Sequence, residues 1–217
     1  MKVIRGGRVW LGAAEGFREG LEIVVEGSRI TDVRPSQPDQ PTPSQETGAR
    51  EAEVIDATGH LVLPGFVNAH THAAMTLLRS YADDMALHPW LTEAIWPAEA
   101  RMTPEDIYWG SLLAIIEMIR GGTTAFADMY FFEDQTARAV AESGIRAALA
   151  PGLVDGEAFE ARLQTVRELA ATWHGEAGGR IRIMVGPHAP YTASQGLSRA
   201  AELAGELGLA IHIHLSE

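Results

Sequence analysis

Two histidines one residue apart, His70 and His72 in "PGFVNAHTH", and a second such pair, His212 and His214 in "AIHIHLSE", are the residues best suited to chemistry in this chain. Each pair ends an apolar run of strand length, and side chains two apart on a strand point to the same side. Imidazoles sharing a face form half of a metal site, and His188 in "VGPHAPY" ends a third such run. A lone histidine is more often a hydrogen-bonded core residue, but two pairs and His188 at matching strand ends argue for a ligand set. Spacing alone does not choose between His212 and His214. His214 is nearer the strand end and Glu217, so it is read as the third ligand and His212 as an interior packing residue. Glu217 follows His214 by three positions, where a carboxylate can reach a water on the same metal without ligating that metal. A general base needs that placement.

These pairs need a scaffold, and the sequence changes texture once to provide it. Residues 1 to 62 hold short β-like runs, "KVIRGGRVW", "GLEIVVEGSRITDV" and "AEVIDATGHLVL", interrupted by turn-formers and by the Pro-rich "RPSQPDQPTPSQETGAR", read as a surface loop. From residue 63 strands and helices alternate. "FVNAHTH", "TTAFADMY", "IRAALAPGLV", "RIRIMVGPHAPY" and "LAIHIHLSE" are the strands, and the helical patterns cover 103–121, 134–144, 157–173 and 194–208. The helix at 103–121 opens with Thr103 as N-cap, Pro104 in the first turn and acidic Glu105 and Asp106. Such alternation predicts an α/β fold with a parallel sheet. The histidines lie at the C-terminal ends of the first, fourth and fifth strands, the catalytic face of a (β/α)8 TIM-type barrel. The expected organisation is therefore a small β-rich region at 1–62 and the first five barrel units at 63–217.

Composition bounds the partners. With 17 basic and 29 acidic residues the formal charge is -12, which repels phosphate backbones and anionic lipid and excludes nucleic acid and membrane surfaces. No apolar stretch approaches the roughly 20 residues of a membrane helix. Without cysteine, a metal must be held by histidine and carboxylate, so Zn²⁺ is the default and Fe²⁺ is compatible. The only lysine is Lys2, so no lysine on the fourth strand can be carbamylated to bridge two metals, and a single-metal site is expected. A cytoplasmic protein acting on a small molecule fits these bounds.

Taken together, "PGFVNAHTHAAMTLLRSYADD", "WLTEAIWPAE", "GTTAFADMYFF", "VGPHAPYT" and "HIHLSE" resemble the amidohydrolase superfamily. Within it they look like the deaminases of 5'-methylthioadenosine and S-adenosylhomocysteine and the related triazine and atrazine hydrolases. The resemblance implies that His70, His72 and His214 bind the metal and that Glu217 shuttles protons. It further implies that Trp90 walls a nucleoside pocket, Glu99 accepts hydrogen bonds from the ribose hydroxyls, and His188 contacts the purine side. Arg162 matches an arginine that can meet the carboxylate of homocysteine. Where some members carry a second arginine, Pro151 stands, which favours methylthioadenosine over S-adenosylhomocysteine. The resemblance also places the last three barrel strands beyond this sequence, with a histidine after strand six and a metal-binding aspartate after strand eight. This chain is then expected to be the N-terminal half, with residues 1–62 part of a β-sandwich completed by later strands and a homo-oligomer compatible with it. Two other readings are a superfamily hydrolase acting on a chlorinated or aminated heterocycle and an inactive fragment or binding protein that keeps half a site.

Overall fold

The computed structural model describes residues 1–37 and 52–215. Most of the Pro-rich stretch, and Glu217, lie outside the described residues. The chain divides into two compact units, Met1–Pro64 and Gly65–Glu217. In the first, strands β1 (Lys2–Arg5), β2 (Arg8–Trp10), β3 (Phe17–Arg18), β4 (Leu21–Glu26), β5 (Arg29–Pro35), β6 (Glu53–Asp56) and β7 (Leu61–Val62) form two sheets. Their orders are β5-β4-β1-β6 and β3-β2-β7. The β4–β5 hairpin turns at Gly27, whose φ of +60° is a left-handed conformation that glycine adopts without steric cost. Val3 and Val24 pair across β1 and β4, and both are buried.

In the second unit, β8 (Phe66–Thr71), β9 (Thr123–Tyr130), β10 (Arg146–Leu153), β11 (Ile181–Ile183) and β12 (Gly186–Pro187) form a parallel sheet in the order β11-β10-β9-β8, with β12 also on β10. Between them run helices α1 (Pro104–Arg120), α2 (Glu133–Ser143), α3 (Phe159–Trp173) and α4 (Leu197–Leu207). The N-cap read at Thr103 forms, and it does so as a capping box: Asp106 N donates to Thr103 Oγ1 at 3.3 Å and Thr103 N donates to Asp106 Oδ2 at 2.8 Å. Helices and sheet share a core that includes Ile115, Phe126, Val140, Leu149, Ile181 and Ile183. A second cluster joins Leu153, Val166, Val185 and Leu203.

Two strands differ from the sequence reading, each for a backbone reason. The run "RIRIMVGPHAPY" splits into β11 and β12. In a parallel ladder the bond after Met184 N→Leu149 O (2.8 Å) would come from the N–H of residue 151, and Pro151 has none. Among its described residues the fifth run forms one bridge, Val185 to Ile211. Its backbone follows β12 through Val185 N→Ala210 O, His212 N→Val185 O (both 2.9 Å) and His214 N→His188 O (3.0 Å), with no strand on its other side among the described residues. Among the described residues the sheet thus has two open edges, where Phe66 and Val67 are 60% and 68% exposed and Ile211 and Leu215 are 46% and 77% exposed. Among the described residues no helix is long and apolar enough to cross a membrane.

Candidate metal centre

The first histidine pair is held by its neighbours in the chain. Pairing of β8 with β9 slips between Asn68 and Thr71, and such an irregularity re-aims side chains at a strand end. Thr71, between the histidines, points away from them: its Oγ1 lies 2.6 Å from Asp128 Oδ1. Ala73 N donates to the same oxygen at 2.8 Å, so Asp128 holds the side chain before His72 and the backbone after it. The 3-10 turn that follows, Ala73–Leu78, closes on α1 at Gly110, where a Cβ would stand 2.6 Å from the carbonyl oxygen of Ala74. Thr76 Oγ1 donates to the Gly110 carbonyl at 2.8 Å and locks that approach.

His70, His72 and His214 each offer a ligand atom, and these atoms lie within 4.8 Å of one another. Ring centroids are 5.2 Å apart for His70 and His72, 4.9 Å for His70 and His214, and 5.3 Å for His72 and His214. His72 Nδ1 stands 2.7 Å from the carbonyl oxygen of Met129, and His214 Nδ1 stands 2.8 Å from that of His188. A carbonyl oxygen only accepts, so both Nδ1 atoms carry the proton and both Nε2 lone pairs are left to ligate. Burial lowers the pKa of His72, which favours the neutral imidazole a metal requires. His214 is only 9% exposed, whereas His70 lies on the exposed edge strand. His212 is outside the group of three, and burial lowers its pKa too.

The other residues singled out in the sequence are placed as follows. His188 joins the histidines, its ring 4.9 Å from that of His214 and its Nδ1 2.8 Å from Thr192 Oγ1. Glu99 ends the short helical segment Trp96–Glu99 and accepts from Tyr130 Oη at 2.6 Å, and the Tyr130 ring is 6.3 Å from that of His72. Trp90 lines a shallow open cavity of about 350 Å³ with Ala82, Asp83, Asp84, Met85 and Leu87, and no histidine lines it. Ser80, Ala82 and Asp84 beside it have φ near +60°, a conformation costing of order 1 kcal/mol or more for each such side chain. Arg162 is exposed in the first turns of α3, and among the described residues no hydrogen bond or ion pair joins it to the histidines. Glu217 lies outside the described residues.

Residues 61–217 match the sequence profile of the Amidohydrolase family. The chain belongs to the amidohydrolase family. It is 51% identical over 221 residues to the 5-methylthioadenosine/S-adenosylhomocysteine deaminase of Symbiobacterium thermophilum, which covers 99% of this chain and 49% of that protein. A crystal structure of an adenosine deaminase from Xanthomonas campestris with bound zinc superposes with a TM-score of 0.84 at 33% identity, over 98% of this chain and 48% of that one. The atrazine chlorohydrolase of Arthrobacter aurescens complexed with zinc shares the fold at a TM-score of 0.83 and 24% identity, over 100% of this chain and 53% of that one. The chain spans about half the length of the relatives it matches.

In this amidohydrolase chain the support around the histidines comes from groups that sequence reasoning left aside. The Met129 and His188 carbonyls orient ring nitrogens, and a backbone carbonyl has no side-chain signature. Tyr130 is absent from the sequence-read site, although its place two residues after Asp128 at the end of β9 was a usable signal. Asp128 makes the bonds to Thr71 and Ala73 described above. It is fully buried beside buried Glu133, and Asp128 Oδ2 and Glu133 Oε2 have no hydrogen-bond partner among the described atoms. Burial pushes the Asp128 carboxyl up to about 6, and burial followed by the charge of Asp128 raises Glu133 well above the carboxylate range. The raised Asp128 pKa makes the folded chain hold a proton between about pH 4 and 6 that the unfolded chain releases, so this contribution favours folding on the acid side and is lost as pH rises through 6. Asp128→Asn removes it. Urea midpoints at pH 5 and pH 7.5 should show wild type losing ground to the variant on going to pH 7.5, by about 1.4 kcal/mol, because only the pH unit between 5 and 6 falls inside that window. An unchanged difference would mean that Asp128 is ionised throughout.

Proposed function

We propose that this chain is the N-terminal half of a metal-dependent hydrolytic deaminase of an adenine nucleoside, with 5'-methylthioadenosine as the leading substrate. The observation that carries this reading is the convergence of His70, His72 and His214 at the C-terminal end of a parallel sheet, with two Nε2 atoms freed by backbone carbonyls. Three neutral imidazoles suit Zn²⁺, and Fe²⁺ is compatible with the same donors. An ion bound there supplies Lewis acidity, which brings the pKa of a water to about 7. His70, His72 and His214 hold the ion. Glu217 would accept the proton of the attacking water and deliver it to a ring nitrogen as the amino-bearing carbon is attacked; the proton left on the new hydroxyl then passes to the amino group, which departs as ammonia and leaves a ring carbonyl.

Around that centre Glu99 takes the ribose hydroxyls, His188 meets the purine and Trp90 walls the pocket. Arg162 is the candidate for a homocysteine carboxylate. Its exposed position on α3, with Pro151 where a second arginine would stand, favours methylthioadenosine, which has no carboxylate to bind. The missing aspartate ligand and a histidine belong to the part of the protein beyond Glu217. The exposed Phe66, Val67, Ile211 and Leu215 at the sheet edges support a continuation that covers them. Residues 1–62 are then part of a β-sandwich completed by the same continuation, in a cytoplasmic enzyme.

The test is to assay the full-length protein on methylthioadenosine, S-adenosylhomocysteine, adenosine and chlorinated triazines. Turnover of triazines alone would replace the reading. The ribose contact gives a sharper check. Glu99→Ala should cost roughly 1.5 to 3 kcal/mol in kcat/KM for a substrate with 2' and 3' hydroxyls, as for hydrogen bonds to charged groups, and little for its 2',3'-dideoxy analogue. Equal discrimination by wild type and variant would remove Glu99 from the ribose subsite.

A further inference from the structure

We infer that Tyr130 is a positioning residue, which holds one oxygen of Glu99 so that the other faces the ligand and ties that carboxylate to the wall of the histidine site. This rests on the reading of Glu99 as the acceptor of ribose hydroxyls. The observation behind it is that three consecutive residues at the end of β9 serve three parts of one site. Asp128 fixes Thr71 and Ala73, the Met129 carbonyl orients His72, and the Tyr130 hydroxyl donates to Glu99 Oε1 at 2.6 Å.

Tyr130 is itself firmly held. It is 7% exposed, its ring stacks on Phe131 at 4.2 Å, its hydroxyl lies 3.8 Å from Met102 Sδ, and its N–H donates to Glu133 Oε1 at 3.1 Å. Glu99, by contrast, has three side-chain torsions and comes from a helical segment 31 positions earlier. Among the described residues the tyrosine hydroxyl is the one hydrogen-bond donor to its side chain. A carboxylate has about four acceptor sites, so the bond to Oε1 leaves Oε2 open to two neighbouring hydroxyls while halving the orientations the group can take. Partial burial raises the Glu99 pKa and the phenol donor opposes that rise, so the same bond favours the charged acceptor. The geometry therefore fixes the distance between the subsite that would grip the sugar and the imidazole of His72, which a reaction at the base requires.

Tyr130→Phe in the full-length zinc-loaded protein deletes only the hydroxyl. The preference for a 2',3'-diol nucleoside over its dideoxy analogue, as a ratio of kcat/KM values, is expected to fall about tenfold while zinc content is retained. In a Glu99→Ala background the same change is expected to do nothing further, because Tyr130 acts through Glu99. A merely structural tyrosine would lower both substrates alike, and that result would overturn the inference. So would additive effects of the two substitutions. If Glu99→Ala alone leaves the preference intact, the ribose reading of Glu99 fails and the inference falls with it; if Glu99→Ala erases the preference and Tyr130→Phe does not, only the inference fails.

Discussion

Exchanging Glu217 for glutamine in the full-length protein is expected to lower turnover by at least about 10²-fold with the metal content unchanged. Glutamine keeps the length and hydrogen-bonding reach of glutamate but its amide cannot take a proton at neutral pH. His214, three positions before Glu217 in the sequence, has its N–H and Nδ1 both tied to the His188 carbonyl, at 3.0 and 2.8 Å. Glu217 is not counted among the ligands, so zinc measured by metal analysis should stay at the wild-type level. Near-normal turnover would remove Glu217 from the mechanism. Loss of zinc with turnover would make it a ligand instead of a proton carrier.

A second large effect separates the two histidines of "AIHIHLSE". His214→Ala should lose metal affinity by more than the 10- to 100-fold typical of removing a supporting residue, and activity with it, whereas His212→Ala should keep its zinc. The physical difference is in what holds each ring. His214 is 9% exposed, its Nδ1–H is spent on a backbone carbonyl, and its remaining nitrogen belongs to the group of three ligand atoms. His212 shares the face by strand alternation but lies outside that group. Zinc titration of the two variants with a chelator decides it: retention by His214→Ala and loss by His212→Ala would exchange their roles.

Much of this arrangement is legible in one dimension because its causes are local. Thr103, Pro104 and Asp106 announce the start of α1 through a capping box closed within four residues. The HxH spacing predicts two imidazoles on one side at the end of β8 because strand side chains alternate. Alternation of strands and helices likewise suffices for a parallel α/β sheet. Where the sequence reading overran, the cause was a contact partner. "RIRIMVGPHAPY" has the composition of one strand, but the missing N–H of Pro151, 30 or more positions earlier, divides it. "LAIHIHL" has strand composition too, yet an element bonded on one side makes a single bridge.

The sequence by itself thus determined which residue types are available at the end of the sheet: imidazoles, with no thiol and no lysine for a bridge. Only the tertiary structure decided which nitrogen of His72 and His214 is free, since that depends on accepting carbonyls of Met129 on β9 and of His188 just past β12. It alone brought Tyr130 to Glu99 and Asp128 to Thr71, pairs separated by 31 and 57 positions. The physical reason is the range of the forces involved. Caps and strand alternation are set by backbone geometry within a few residues, whereas the hydrogen bonds that choose a tautomer or aim a carboxylate form only after packing has paid the entropy of bringing distant segments together.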